Sequence, residues 1–324
     1  MSHHKTIALN DGNSIPQVGL GTWLSEPKEV GAALEHAIKA GYRHLDLAKI
    51  YGNHKEIGEA LKKLIPGTVK REDLFITDKL WNNSHNPERV KAALDQTLQE
   101  LQLDYLDLYL VHWPIAFDGD LNTLVPEENG KAKLDLDTSL VDTWKAMIEL
   151  KKSGKAKSIG VSNFLPEHIE AITKATGVQP AVNQIEAHPR LQQDDLDAFH
   201  KKNNIHLTAY SPFGNNLRGE KKIVEFPQVT AIAKKHNVDP GQVLVAWSVK
   251  RGYSVIPKSV NPSHIETNFQ QIDLSDEEYD AVSKIVKDDG HMRFNVPIAY
   301  NPVWDINLFD EDIEKPAKHR VKVQ

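Results

Sequence analysis

The chain has 324 residues, no cysteine and a formal net charge of −6, from 39 Lys and Arg against 45 Asp and Glu. That length allows two ordinary domains or one large α/β barrel, and the missing cysteine excludes disulfides, thiolate-bound zinc, iron–sulfur clusters and a cysteine nucleophile. No basic excess draws the chain to nucleic acid or anionic membrane, and no apolar run approaches the ~20 residues of a membrane span. The opening MSHHKTIALNDG lacks the apolar core of a secretory signal, so a soluble cytoplasmic protein is expected. His3 and His4 read as incidental, not as a metal site.

In chain order, Thr6–Leu9 and Ser14–Pro16 flank Asn10-Asp11-Gly12-Asn13, and Asp-Gly is a strong hairpin signal. A short apolar run, a loop and an amphipathic stretch then recur. The runs are Val18–Leu20, Arg43–Leu47, Leu74–Thr77, Leu106–Val111, Ala156–Val161, Ala181–Ile185, His206–Ala209 and Ser254–Ile256, eight in all. Helical spacing is predicted over Val30–Lys39, His54–Leu64, Pro87–Leu101, Leu140–Ser153 and Pro166–Thr176. It continues over Asp194–Lys202, Pro227–His236, Pro240–Lys250 and Pro262–Phe269. Asp194 and Ser275 read as helix starts, and Pro166, Pro227 and Pro262 suit first turns. Strict β/α alternation with nearly continuous apolar strands implies a parallel sheet, and eight such units match a (β/α)8 TIM barrel. The rival is an open doubly wound sheet, but its Gly-x-Gly-x-x-Gly fingerprint fails: Gly19 and Gly21 are followed by Leu24. The expected fold is one barrel domain over residues 1–324, with an N-terminal hairpin and long loops at 114–137 and 211–226. An irregular tail from residue 288 would lie at the barrel mouth. Such long loops are usually lids or disordered.

A barrel carries its chemistry where strands meet the following loops. Those positions hold Asp46 with Tyr51 five residues on, Lys79, His112, Ser162-Asn163, Gln184, Tyr210-Ser211 and Lys258-Ser259. Singly, each has a plainer use: a solvated lysine, a packed histidine, a capping serine ahead of Pro166. Together Asp46, Tyr51, Lys79 and His112 suit protonation of an oxygen that becomes an alkoxide. A phenol with a pKa near 10 is a weak acid, and a neighbouring ammonium lowers that value. The Asp keeps the Lys charged, and the His orients a carbonyl. A metal hydrolase would need more His at strand ends, and a glycosidase a carboxylate pair, for which Glu186 is the one further candidate. Ser162, Asn163 and Gln184 fit a carboxamide, Tyr210 a flat ring, and Lys258 with Ser259 a phosphate. Trp23, Trp81 and Trp113 suggest an apolar pocket wall.

The stretches GYRHLDLAKIYGNHKEIG, FITDKLW, LDLYLVHWP, GVSNF, NQIEAHP, YSPFGNN and IPKSVNPSHIETNF resemble the aldo-keto reductases, and most of all fungal NADPH-dependent aldehyde reductases. The resemblance runs from about Thr6 into the tail. It implies Tyr51 as general acid, tuned by Lys79 and Asp46, with His112 orienting the substrate. It implies a dinucleotide held by Gly21, Thr22, Trp23, Asp46, Ser162, Asn163, Gln184 and Tyr210. The loop Ser211, Pro212, Phe213, Gly214 and Asn215 would cover the pyrophosphate. Lys258, Ser259, Val260, Asn261, His264 and Asn268 would surround the adenosine 2′-phosphate. Trp23, Tyr51, Trp81, His112, Trp113 and tail aromatics would line the substrate pocket.

Three departures stand out. Leu47 replaces the usual Thr after the catalytic Asp. Asp78 replaces a Ser or Thr before Lys79; an outward-facing carboxylate is expected there, close enough to perturb the lysine. His264 stands where Arg usually grips the 2′-phosphate, which weakens the preference for NADPH, makes it pH-dependent and opens the way to NADH. The expected activity is NADPH-dependent reduction of aldehydes and activated ketones by a monomer, with no metal. The alternatives are a sugar, glyceraldehyde or uronate reductase with dual cofactor use, and a non-catalytic cofactor-binding relative.

Overall fold

The computed structural model describes residues 5–214 and 219–324. Strand β1 (Thr6–Ala8) pairs antiparallel with β2 (Ser14–Pro16), and Gly12 in the turn takes φ +88°, which glycine adopts without a Cβ clash. Leu9 and Ile15 of this hairpin pack with Phe75, Leu108 and Val182 and close the end where the barrel strands begin.

The barrel strands are β3 (Leu20–Gly21), β4 (His44–Asp46), β5 (Phe75–Leu80) and β6 (Leu106–Val111). A small antiparallel hairpin, β7 (Glu127–Glu128) with β8 (Lys131–Ala132), interrupts the series. The barrel resumes with β9 (Ala156–Ser162), β10 (Val182–Glu186), β11 (His206–Tyr210) and β12 (Ser254–Val255). The eight pair in sequence order, all parallel. The first and last meet through parallel bridges Val18–Val255 and Gly21–Lys258, with the Gly21 N–H donating to Pro257 O at 3.0 Å. This seam needs glycine: a Cβ on Gly21 would come within 2.8 Å of Ile256 O. The closed sheet is the expected (β/α)8 barrel.

The helices are α1 (Val30–Ala40), α2 (His54–Leu64), α3 (Pro87–Leu101), α4 (Leu140–Lys152), α5 (Pro166–Thr176) and α6 (Asp194–Lys202). They continue with α7 (Pro227–His236), α8 (Pro240–Lys250), α9 (Pro262–Phe269), α10 (Asp276–Ser283) and α11 (Ile285–Asp289). Local chemistry sets their ends. Proline occupies the first turn of α3, α5, α7, α8 and α9, where its missing N–H costs nothing. The side chains of Asn86, Ser139, Asp239, Asn261 and Ser275 accept from first-turn N–H groups. The apolar faces of α1–α5 and α9 pack with the strands in the main core, which includes Leu34, Ile57, Leu94, Met147, Ile169 and Ile265.

The tail has only short 3-10 turns, at Pro297–Ala299 and Asp312–Glu314. It is nevertheless docked, not loose. Trp304, Ile306 and Leu308 are buried with Trp81, Trp113 and Phe117. Lys131 of the β7–β8 hairpin reaches Asp305 at 2.7 Å, and the Leu140 N–H at the start of α4 donates to Lys322 O at 3.2 Å. The loop at 114–137 and the tail thus brace each other over the barrel mouth.

Candidate active site

The C-terminal ends of β4, β5, β6, β9, β10 and β11 bring polar side chains to one rim. Lys79 sits near the end of β5, where alternation turns its side chain into the barrel. It is wholly buried. Its Nζ donates to Asp46 Oδ1 at 2.5 Å and to Leu47 O at 2.7 Å, and approaches Tyr51 Oη at 3.5 Å. Tyr51 stands on a 3-10 turn, Lys49–Tyr51, ended by Gly52 at φ +69°. The His112 ring centroid is 6.1 Å from that of Tyr51, with the rings nearly perpendicular. Asp46, Tyr51, Lys79 and His112 are therefore one cluster.

Burial opposes a charge on Lys79, but the Asp46 carboxylate and the Tyr51 hydroxyl outweigh it, and its pKa rises. Burial pushes the Tyr51 phenol up to about 12, with Lys79 pulling the other way. The ammonium thus acts on the phenol in the expected downward direction, but burial outweighs it. Burial, then the Lys79 charge, holds His112 well below the ordinary imidazole range. At neutral pH the cluster therefore presents a protonated phenol, a charged lysine and a neutral imidazole.

Asp46, Tyr51 and His112 floor a cavity of about 520 Å³, with Lys79 buried behind them. One end is aromatic. Trp81, its Nε1–H held by Leu124 O at 2.6 Å, packs against His112 and Trp304, and Trp113 against Trp304 and Tyr300. Trp23 lines the same cavity. Ile50, Val125, Asn295, Asn301 and Pro302 also line it and escaped the sequence reading. Ile50 had a signal in its adjacency to Tyr51. The others sit on irregular segments whose course no periodicity reveals.

The other end is polar. Gly21, Thr22, Asn163, Gln184, Tyr210, Ser211, Pro212, Phe213, Gly214 and Lys258 all border the cavity. Thr22 Oγ1 donates to Asp46 O at 2.8 Å. Gln184 Nε2 donates to Asp46 Oδ2 at 2.6 Å, and Tyr210 Oη to Asn163 Oδ1 at 2.7 Å. Asn163 Nδ2 bonds His112 O at 3.0 Å and tethers the His112 backbone to β9. Ser162 is set back from the cavity wall, its hydroxyl given to Gln184 O at 2.8 Å. Lys258 Nζ reaches across to Leu24 O at 2.8 Å, and burial lowers its pKa against the pull of Glu29 and Glu26. Ser259 and Val260 follow on the loop into α9, Asn261 caps that helix, and His264 is exposed in its first turn. A Cβ on Gly241 would meet both Asn268 Oδ1 and Phe213 Cζ, so the buried Asn268 and the 211–214 loop share one wall. Asn215 lies outside the described residues.

Asp78 faces away from the barrel axis, as expected, yet it is wholly buried and not solvated. Glu186, the other candidate carboxylate, does not line the cavity. It binds the Phe294 and Asn295 backbone N–H groups at 2.8 and 2.9 Å and fastens the tail.

The aldo/keto reductase family model matches residues 17–287. The chain is 52% identical to a D/L-glyceraldehyde reductase of Hypocrea jecorina, with both proteins covered in full. It is 45% identical to the mouse aldo-keto reductase family 1 member A1, over 83% of this chain and 85% of that protein. The structure of the aldose reductase from Giardia lamblia superposes with a TM-score of 0.86 at 41% identity, covering 91% of this chain and 98% of that one. NADP(H)-dependent reduction of small carbonyl compounds is the activity of that family, and no helix among the described residues is long and apolar enough to cross a membrane. Sequence and architecture agree over nearly the whole chain, and the protein belongs to the aldo/keto reductase family, as an oxidoreductase acting on carbonyl groups.

Proposed function

We propose that this protein reduces aldehydes and activated ketones to alcohols with NADPH, with Tyr51 as the proton donor. The observation that carries the reading is the Asp46–Lys79–Tyr51 series, 2.5 Å and then 3.5 Å, beneath a neutral His112. Tyr51 gives its hydroxyl proton to the oxygen that becomes an alkoxide. Lys79 stabilises the phenolate left behind, and Asp46 holds the ammonium in place. His112, uncharged, orients the carbonyl by a hydrogen bond and does not compete as an acid. The aromatic end excludes water and takes the substituent of the aldehyde.

The polar end suits a nicotinamide dinucleotide. Gln184 spends its Nε2 on Asp46 and keeps its Oε1 as an acceptor for a carboxamide, beside the amide of Asn163. Tyr210 offers a ring for stacking, and Lys258 a cation at the far end of the cavity. Bound NADPH would supply a hydride from its nicotinamide C4 to the carbonyl carbon. Ser259, Asn261, His264 and Asn268 would lie at the adenosine end, with NADH as a second cofactor because His264 provides no guanidinium fork. Ser162 acts in this reading through Gln184 and Asn163, not by touching the ring.

Glyceraldehyde or a related short hydroxyaldehyde is the favoured alternative to an aromatic aldehyde, given the full-length similarity to the Hypocrea jecorina enzyme. Asn301 on the cavity wall offers a partner for its hydroxyl groups. A single catalytic domain, working as a monomer in the cytoplasm, completes the reading. The test is loss of nicotinamide absorbance with NADPH and with NADH, each with an aromatic aldehyde and with glyceraldehyde. Consumption of NADPH with either aldehyde supports the reading, and binding of NADPH without turnover of any aldehyde defeats it.

A further inference from the structure

Beneath the Tyr51 turn runs a series of charged side chains that the reaction itself does not touch. His54 opens α2 three residues after Tyr51 and is buried. Its Nε2 lies 3.2 Å from Asp78 Oδ1 in a hydrogen bond, and its Nδ1 lies 3.3 Å from Glu100 Oε2 as an ion-pair contact without hydrogen-bond geometry. Glu100, near the end of α3, also takes Lys49 Nζ at 2.7 Å on each carboxylate oxygen. Lys49 and His54 bound the short segment that carries Tyr51, so one carboxylate grips that segment from both sides. Asp78 is the residue before Lys79. Successive strand residues face opposite ways, so Lys79 points into the mouth and Asp78 points out toward α2. The strand that presents Lys79 and the turn that presents Tyr51 are thus joined directly through Asp78 and His54.

The joint depends on charge. Asp78 is wholly buried, and among the described residues its Oδ2 has no hydrogen-bond partner. A carboxylate in that position is strongly disfavoured without a counter-charge. Tyr109, opposite Asp78 on β6, cannot supply one, since a phenol is neutral or anionic and never cationic. His54 can. Burial opposes its charging, but Asp78 and then Glu100 outweigh this and raise its pKa to about 9. Glu100 is drawn down to about 2, by His54 first and Lys49 after burial.

We propose that His54, clamped between Asp78 and Glu100, is a positioning residue that holds the Tyr51 hydroxyl at Lys79. The Tyr51–Lys79 contact is already long at 3.5 Å, so a small shift of the turn breaks it. The proposal rests on Tyr51 being the proton donor.

The test uses the full chain with NADPH and a reactive aromatic aldehyde. His54→Gln keeps hydrogen-bonding capacity without charge. Its kcat at neutral pH should fall by about tenfold or more, because misplacement by ~1 Å costs on the order of a hundredfold. Its Kd for NADPH, read by protein fluorescence, should stay within about twofold. The double variant H54Q/D78N, which removes both charges, should regain most of the lost kcat. A merely structural pair would not separate kcat from cofactor binding in this way. If His54→Gln does not fold, Asp78→Asn serves alone. Removing that carboxylate while His54 stays charged moves the alkaline limb of the kcat profile to lower pH. The proposal is overturned if folded His54→Gln keeps kcat within about twofold of the parent, or if its loss is not recovered in the double variant. An unchanged profile in Asp78→Asn overturns it as well. Tyr51→Phe measured alongside separates the two ideas. If that variant turns over normally, the role of Tyr51 falls and the clamp with it. If it is inactive while His54→Gln is fully active, only the clamp falls.

Discussion

Lys79 Nζ lies 2.5 Å from Asp46 Oδ1, and both side chains are buried in the barrel mouth. Asp46 Oδ2 is engaged by Gln184, so the carboxylate links the ammonium to β10. Asp46→Asn would leave the lysine charge without its partner, and the amide could face Lys79 or Gln184 with its oxygen but not both. Breaking a buried pair from one side costs about 3–5 kcal/mol, and a loss of about 3 kcal/mol in urea-unfolding stability is predicted. A change below about 0.5 kcal/mol would mean that solvent reaches the pair.

Stability should peak near pH 6.5. Burial holds His44, His85, His168 and His200 at about 4 and His206 at about 3, against 6.5 for an ordinary imidazole. Their folded pKa values are depressed, so their contribution is present above pH 6.5 and is lost as pH falls toward 4. Glu100 and Glu311, both drawn to about 2 from 4.5 by a neighbouring histidine first, extend the loss further into acid. His54 has the opposite sign. Its pKa is raised from 6.5 to about 9, so its contribution is full below 6.5 and is lost as pH climbs through 9. Denaturant melts from pH 4 to 10 check both limbs. His54→Gln should flatten the alkaline limb and also weaken the part of the acid limb that Glu100 carries, while the share of the five depressed histidines stays.

Glu186 ties the tail to the barrel. It accepts from the backbone N–H groups of Phe294 and Asn295 and from Asn295 Nδ2, and it pairs with His188 at 2.8 Å. Asn295 lines the cavity, so a looser tail widens the substrate end. Glu186→Gln should cost about 1–3 kcal/mol, as charged hydrogen bonds are lost or weakened, and raise KM for the aldehyde several-fold. Affinity for NADPH should weaken as well, since Glu186 lies in register with Tyr210 and Phe294 packs against Gly214 of the 211–214 loop. Steady-state kinetics beside a fluorescence titration read the two separately.

The sequence carried the scaffold well where local chemistry marks an end. Helices α2, α3 and α5 through α9 have the predicted bounds; proline opens five of them, Asn86, Asp239 and Asn261 cap α3, α8 and α9, and Gly177 ends α5. The β7–β8 hairpin went unread because two-residue strands have no periodicity, although its turn, Asn129-Gly130, both at positive φ, is a hairpin signal. The rim quartet was legible because every barrel strand ends at the same face. The burial that outweighs Lys79 at Tyr51 was not, because it is a property of packing around the turn and not of any local pattern. Asp78 was visible as an oddity, but its partner was not. His54 and Asp78 are 24 residues apart and meet only because α2 lies against β5.

His264 is exposed in the first turn of α9, beside the Asn261 cap. A guanidinium there would add a permanent charge and a two-pronged donor for a phosphate. His264→Arg should lower the Kd for NADPH about tenfold and leave the Kd for NADH within about twofold, as a charged hydrogen bond is worth about 1.5–3 kcal/mol. Equal changes for both cofactors would place residue 264 away from the 2′-phosphate.

The central claim is that the Tyr51 hydroxyl delivers the proton. The most direct measurement is single-turnover oxidation of bound NADPH by an aromatic aldehyde in Tyr51→Phe, beside the Kd for NADPH. The account predicts a rate lower by about 10²–10⁴-fold, the usual worth of a positioned acid, with cofactor affinity unchanged. A rate within about tenfold of the parent protein would contradict it and assign the proton to another group.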